Sequence, residues 1–122
     1  MKKKYYRHVD AYGDHFISFK RTLSRDALKK VYFVLELVMS VKMVPAKFIK
    51  HLEGDLYEIR VSYEGMSYRI LSCFDEGNKV VLLNAFVKKT QCTPLDEKEK
   101  ARRLMNQYFQ EKNEEADETN AD

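Results

Sequence analysis

The chain has no tryptophan, two cysteines, two prolines and four glycines in 122 residues. So little Gly and Pro excludes a collagen-like or low-complexity chain, and a composition 44% hydrophobic and 12% aromatic excludes a disordered one. Cys73 and Cys92 sit in an apolar run and a polar connection, without CxxC spacing or nearby His pairs, so neither a zinc site nor a disulfide framework is indicated. Long apolar runs are also missing. The longest, Val31 to Val41, is interrupted by Glu36 and falls well short of the ~20 residues that a membrane span needs, so it reads as a buried helix. The first residues are basic but have no apolar segment behind them, which argues against export; the expectation is a cytoplasmic protein without membrane contact. A nucleophile-elbow GxSxG, a P-loop, an HExxH and a glycine-rich dinucleotide loop are absent, and His8, His15 and His51 are scattered. No metal or cofactor is called for.

What remains is a basic chain of single-domain size. Residues from Glu111 to Asp122 hold six acids and one Lys, so the formal charge of +3 becomes +8 once that segment is set aside. Such a surplus favours polyanions, nucleic acid or an acidic protein among them. A short strand is expected before residue 11. Phe16 to Leu23 leaves helix and strand open, with helix preferred. Ser24 is a candidate N-cap for a helix from Arg25 to about Lys42, with Leu28, Val31, Tyr32, Leu35, Val38 and Met39 as its apolar stripe. Pro45 reads as the start of a helical turn carrying Lys47, Lys50 and His51. From Leu56 the period becomes that of strands. Three runs, LYEIRVSY, MSYRILSCF and KVVLLNAFV, are separated by turn residues and predict an antiparallel meander, the third run lying centrally. Thr93 as N-cap and Pro94 at the first helical position predict a last helix with Ala101, Leu104, Met105 and Tyr108 on one stripe. Residues 1–112 read as an α+β domain and 113–122 as a disordered acidic tail.

The chemistry on offer is cationic. Arg60 leaves the apolar face of the first meander strand, Arg69 enters the second and Lys88-Lys89 leave the third, so antiparallel pairing gathers them near Lys47 and Lys50. Arginine's planar fork and lysine's point charge suit a phosphate, and such a cluster stabilises the charge that develops when a phosphodiester is attacked. Ordinary sheet-edge charges that deter aggregation are the alternative.

The segments FIKHLEG and LYEIRVSYEGMSYRILSCFDEGNKVVLLNAFVKKTQCTP, with their series YEIR, YRI, DEG and FVKKT, resemble the phage-related branch of the HigB group of toxins in the RelE/ParE superfamily. The likeness runs from about Tyr5 to Tyr108. It implies a RelE-like α+β fold and a toxin of a type II toxin–antitoxin pair, a metal-independent endoribonuclease that cuts mRNA on the ribosome through attack by a 2′-hydroxyl. The implied partners are the ribosome with its mRNA and a helix-turn-helix antitoxin like HigA. On this resemblance Arg60, Arg69, Lys88 and Lys89 are the catalytic candidates and Lys47, Lys50 and His51 the contacts to RNA or ribosome. Lys50, His51 and Lys89 are the candidates for general base. Glu58 stands near a position that is basic in RelE, and Cys92 replaces a Lys often found in the KTP segment of this branch. ParE relatives use the same fold to inhibit DNA gyrase by binding it, so that activity is the alternative.

Overall fold

The structure is a computed structural model that describes residues 4–89 and 92–120, with side chains as far as residue 117. The basic start at residues 1–3, the link residues 90–91 and the last two residues of the expected tail lie outside that description. In chain order the elements are β1 (His8–Ala11), α1 (His15–Lys20), α2 (Arg25–Ser40), β2 (Ile49–Glu53), β3 (Leu56–Tyr63), β4 (Met66–Asp75), β5 (Lys79–Val87) and α3 (Leu95–Asn120). The architecture is α+β. Five strands form one sheet in the order β1-β5-β4-β3-β2, with β1 parallel to β5 and every other pair antiparallel.

Alternation along the strands divides their side chains between two layers. On one face Ile59, Val61, Tyr68, Ile70, Val80 and Leu82 meet Phe16 and Phe19 of α1 and Ala27, Val31, Val34, Leu35 and Val38 of α2. On the other, Leu56, Leu71, Cys73, Val81 and Leu83 are covered by Ala101 and Leu104 of α3. Each buried aliphatic side chain in these layers contributes roughly 1.5–3 kcal/mol, so both helical layers are needed to keep β4 and β5 dry. The β3–β4 hairpin closes on Glu64 and Gly65, both at positive φ (48° and 79°), which is the two-residue turn whose twist matches its strands.

Ser24 caps α2 as its position suggests, accepting from Ala27 N at 3.1 Å. The buried stripe of α2 is rotated from the expected one: Val34 turns inward, while Tyr32 is exposed and bonded to Lys20 Nζ. The far end of α2 is tied to the N-terminal arm. Arg7 donates to the carbonyls of Val38, Val41 and Lys42, placing a cation where the helix leaves its last oxygens unsatisfied.

Four expectations are corrected. The turn at Pro45 closes once, with Phe48 N and Ile49 N on Pro45 O, and the chain then extends as β2, so Lys50 and His51 ride on a strand. Pairing with β3 claims the backbone that a helix would have used. The meander therefore has four antiparallel strands, while β5 lies inside the sheet as expected, between β1 and β4 and buried from Val80 to Asn84. At the last helix, Lys98 N bonds to Pro94 O and the helical residues begin at Leu95, while the Thr93 hydroxyl is used elsewhere. Residues 113–120, expected to be disordered, continue α3. Their Glu and Ala favour helix, and Gln110 reaches Glu114 one turn on. Among the described residues no helix is long and apolar enough to cross a membrane.

Candidate functional site

On the α3 side of the sheet, the end of β3 and the start of β4 carry polar side chains. Arg60 lies directly opposite Arg69, and Arg69 opposite Phe86, giving a row of two guanidiniums and one phenyl ring across three strands. Lys50 of β2 is opposite Glu58, in the neighbouring row. Beyond Val87 the pairing continues, with Lys88 N donating to Ser67 O at 2.7 Å, so alternation brings the Lys88 side chain to the same face.

Two guanidiniums facing each other across a strand pair repel, by about 4 kcal/mol at 4 Å and an effective dielectric of 20. Glu58 answers both. Its Oε1 stands 3.4 Å from Arg60 Nε and 3.3 Å from Arg69 Nε, while its Oε2 accepts the Thr93 hydroxyl at 2.6 Å. Two attractions at short range outweigh one repulsion, so the cluster holds together. Neither Nε makes a well-directed hydrogen bond to that carboxylate. The Arg69 Nη1 donates to the Tyr68 carbonyl, and burial draws the Arg69 pKa down, Glu58 opposing and Arg60 adding to the effect. Arginine's intrinsic basicity keeps the group charged regardless.

The two arginines are not equally reachable. The Arg69 side chain is 9% exposed and that of Glu58 3%, whereas Arg60 keeps 28%. Arg60 is thus the fork that a ligand meets first, with Arg69 and Glu58 behind it. Arg60 also lines a small cavity with Lys47 and Ser62.

The other expected residues divide by face. Lys50 and Lys88 join the arginines, and Lys89 is exposed just after them. His51 does not join. It alternates to the α2 side, where its ring lies 5.1 Å from that of Tyr57 and its Nε2 is 2.6 Å from the Gly54 carbonyl. Sequence reasoning passed over Glu58 as a positioning group, Thr93 as its donor and Phe86 as the neighbour of Arg69. Only the alternation of Phe86 with Val87 carried a signal for the last of these.

A second polar network sits at the opposite end of this face. Asp75, 5% exposed, accepts from Tyr108 at 2.6 Å and from Lys112 at 2.7 Å. Burial pushes its pKa up, but the bonds from Lys112 and Tyr108 and the charges of Lys112 and Lys79 outweigh that, and the net shift is downward. The network anchors α3. The Cys73 thiol beneath it is buried and pushed up to about 12, first by burial and then by Asp75 and Asp55, which removes it from nucleophilic chemistry.

Residues 19–106 match the model of a protein family described as Phage derived protein Gp49-like (DUF891), which spans both helical layers, the hairpins and the arginine row. The chain belongs to that family. This is a toxin family of the RelE/ParE type, and membership implies an antitoxin partner. No curated protein matches the chain.

Proposed function

We propose that this Gp49-like protein is a HigB-like toxin that cleaves mRNA on the ribosome. The observation that carries the reading is the Arg60–Arg69 pair, held by Glu58 on a face to which Lys50 and Lys88 also belong. Four cations against one carboxylate leave that face attractive to a phosphodiester. A toxin acting only by protein contact has no need of guanidiniums converging on one point.

In the reaction, the 2′-oxygen forms a bond to the adjacent phosphorus and the bond from phosphorus to the 5′-oxygen breaks. The products are a 2′,3′-cyclic phosphate and a 5′-hydroxyl. One proton leaves the attacking hydroxyl and one reaches the departing oxygen. Arg60, backed by Arg69, stabilises the extra charge on the phosphorane. Glu58 is spoken for by Thr93 and both arginines, so its role is to position rather than to accept the proton. Lys50, on the same face, and Lys89, exposed just after β5, are the candidates for proton transfer. The ribosome supplies the aligned 2′-hydroxyl and phosphate geometry that makes the intramolecular attack fast. The partner that silences the toxin is a helix-turn-helix antitoxin of the HigA kind.

Primer extension on a message translated with the purified protein, run beside a gyrase supercoiling assay, tests this. Breaks within codons, with supercoiling unaffected, are expected. Intact message with inhibited supercoiling would move the protein to the ParE activity.

A further inference from the structure

Around the corner from the arginine row, a cavity of about 110 Å³ is lined by Lys30, Val34, Lys47, Phe48, Arg60 and Ser62. Three elements meet there: α2 gives Lys30, the turn after Pro45 gives Lys47, and β3 gives Arg60 and Ser62. Its lining holds three cations and no carboxylate. The larger cavity beside α3 carries Asp75, Glu76, Glu111 and Glu115, the groove between β1 and α2 carries Asp10 and Glu36, and the small cavity at Arg7 and His51 lacks a carboxylate but has one Arg and no Lys, so three Lys and Arg side chains without an acid set this cavity apart from those three.

Both lysines are held by aromatic faces. Lys30 Nζ lies 5.0 Å from the Phe33 ring centroid and Lys47 Nζ lies 5.6 Å from that of Phe48. Such contacts limit where the two ammonium groups wander, which lowers the entropy lost on gripping a ligand. Arg60 is bound at its inner edge by Glu58, and among the described residues its Nη atoms make no hydrogen bond. The cavity holds a few waters' volume at about 30 Å³ each and is smaller than the ~300 Å³ at which small-molecule pockets begin. A phosphate group fits it; a whole nucleotide does not.

We propose that this cavity is a phosphate subsite for single-stranded RNA, in which Lys30, Lys47 and the outer end of Arg60 grip a backbone phosphate next to the one on the Arg60–Arg69 pair. Arg60 is shared between the two positions, so the subsite fixes which phosphodiester reaches the arginine row. Ser62 adds a hydroxyl donor. Naming RNA as the ligand rests on the function proposed above; the cationic clamp does not.

The test is binding of an oligoribonucleotide bearing 2′-O-methyl groups, which cannot cleave itself, measured by fluorescence anisotropy without ribosomes across a salt series. In Lys30→Ala/Lys47→Ala the slope of log affinity against log salt should fall by roughly 0.7–1, the loss of one phosphate contact. Lys29→Ala, one residue along α2, should keep the parental slope. An unchanged slope in the double variant, or an equal fall in Lys29→Ala, would overturn the subsite. So would a double variant that binds the oligonucleotide like the parent yet loses ribosome association, because the occupant would then be ribosomal RNA. If the parent fails to cut translated message while the slope effect stands, the nuclease reading falls and the phosphate clamp survives.

Discussion

Glu58 decides whether two arginines can share one face. Its carboxylate is nearly out of solvent and divided between Arg60, Arg69 and Thr93. Removing one partner from a buried ionic cluster costs about 3–5 kcal/mol, whereas a partly exposed pair costs about 1 kcal/mol or less. Arg69→Ala should therefore both abolish growth arrest and lower stability by about 3 kcal/mol, while Arg60→Ala should abolish arrest with a loss near 1 kcal/mol. Urea denaturation of the two purified variants checks the split, and equal losses would show that Glu58 does not distinguish them. Thr93→Val removes the donor to Oε2 at nearly constant volume and should cost about 1.5–3 kcal/mol, the range for hydrogen bonds to charged groups, with Thr93→Ser restoring most of it. The arginines were legible in the sequence because period-2 alternation puts Arg60 off the apolar face. The role of Glu58 was not, since the same alternation marks it merely as polar, and its burial comes from the segment around Thr93, 35 residues on.

Helix α3 behaves as a strap fastened at both ends. Near its start the Asn84 amide donates to the backbone and side chain of Glu97, and Lys98 and Arg102 pair with Glu53 of β2. Further along, Tyr12 bonds Glu111, and Tyr108 and Lys112 hold Asp75. Because the folded pKa of Asp75 lies below its unfolded value of about 3.9, the unfolded chain binds more protons in that window. This contribution is complete above the unfolded value and is lost as pH falls through the folded one. Acid titration of the parent should show that loss, and Asp75→Asn should lack this component; identical profiles would mean that Asp75 does not fasten the strap. Deleting residues 113–122 leaves Lys112 and Tyr108 in place, so a folded truncation should remain toxic in a growth assay, and loss of arrest would contradict that. The apolar stripe of α3 was readable from its spacing. Its length was not, because an acidic run with no apolar side chain larger than Ala satisfies the compositional pattern of disorder as well as that of an exposed helix. The β2 segment was missed for a related reason: Pro45 is a sound helix-start signal, and only pairing with β3 overrides it.

At the scale of the molecule, one end of the α3-side sheet face gathers cations, while others lie along α1, α2 and α3. The α3 strap covers the apolar half of one sheet face and carries the acidic run of the chain, leaving the cations of β2, β3, β4 and the segment after β5 at the other end. The parallel pairing of β1 with β5 joins segments some 70 residues apart, a contact no local pattern encodes, and it closes the sheet around the two strands that bear Arg69 and Phe86. The family match, over residues 19–106, takes in α2 and strands β2 to β5 and makes the chain a member of a toxin family. What the arginine row does is tested most directly by mapping message ends after translation with equal amounts of folded parent and Arg60→Ala protein. The parent should leave breaks within codons ending in 2′,3′-cyclic or 3′-phosphate, and Arg60→Ala should leave the message whole. Breaks of equal number and position from both proteins would place the chemistry away from Arg60.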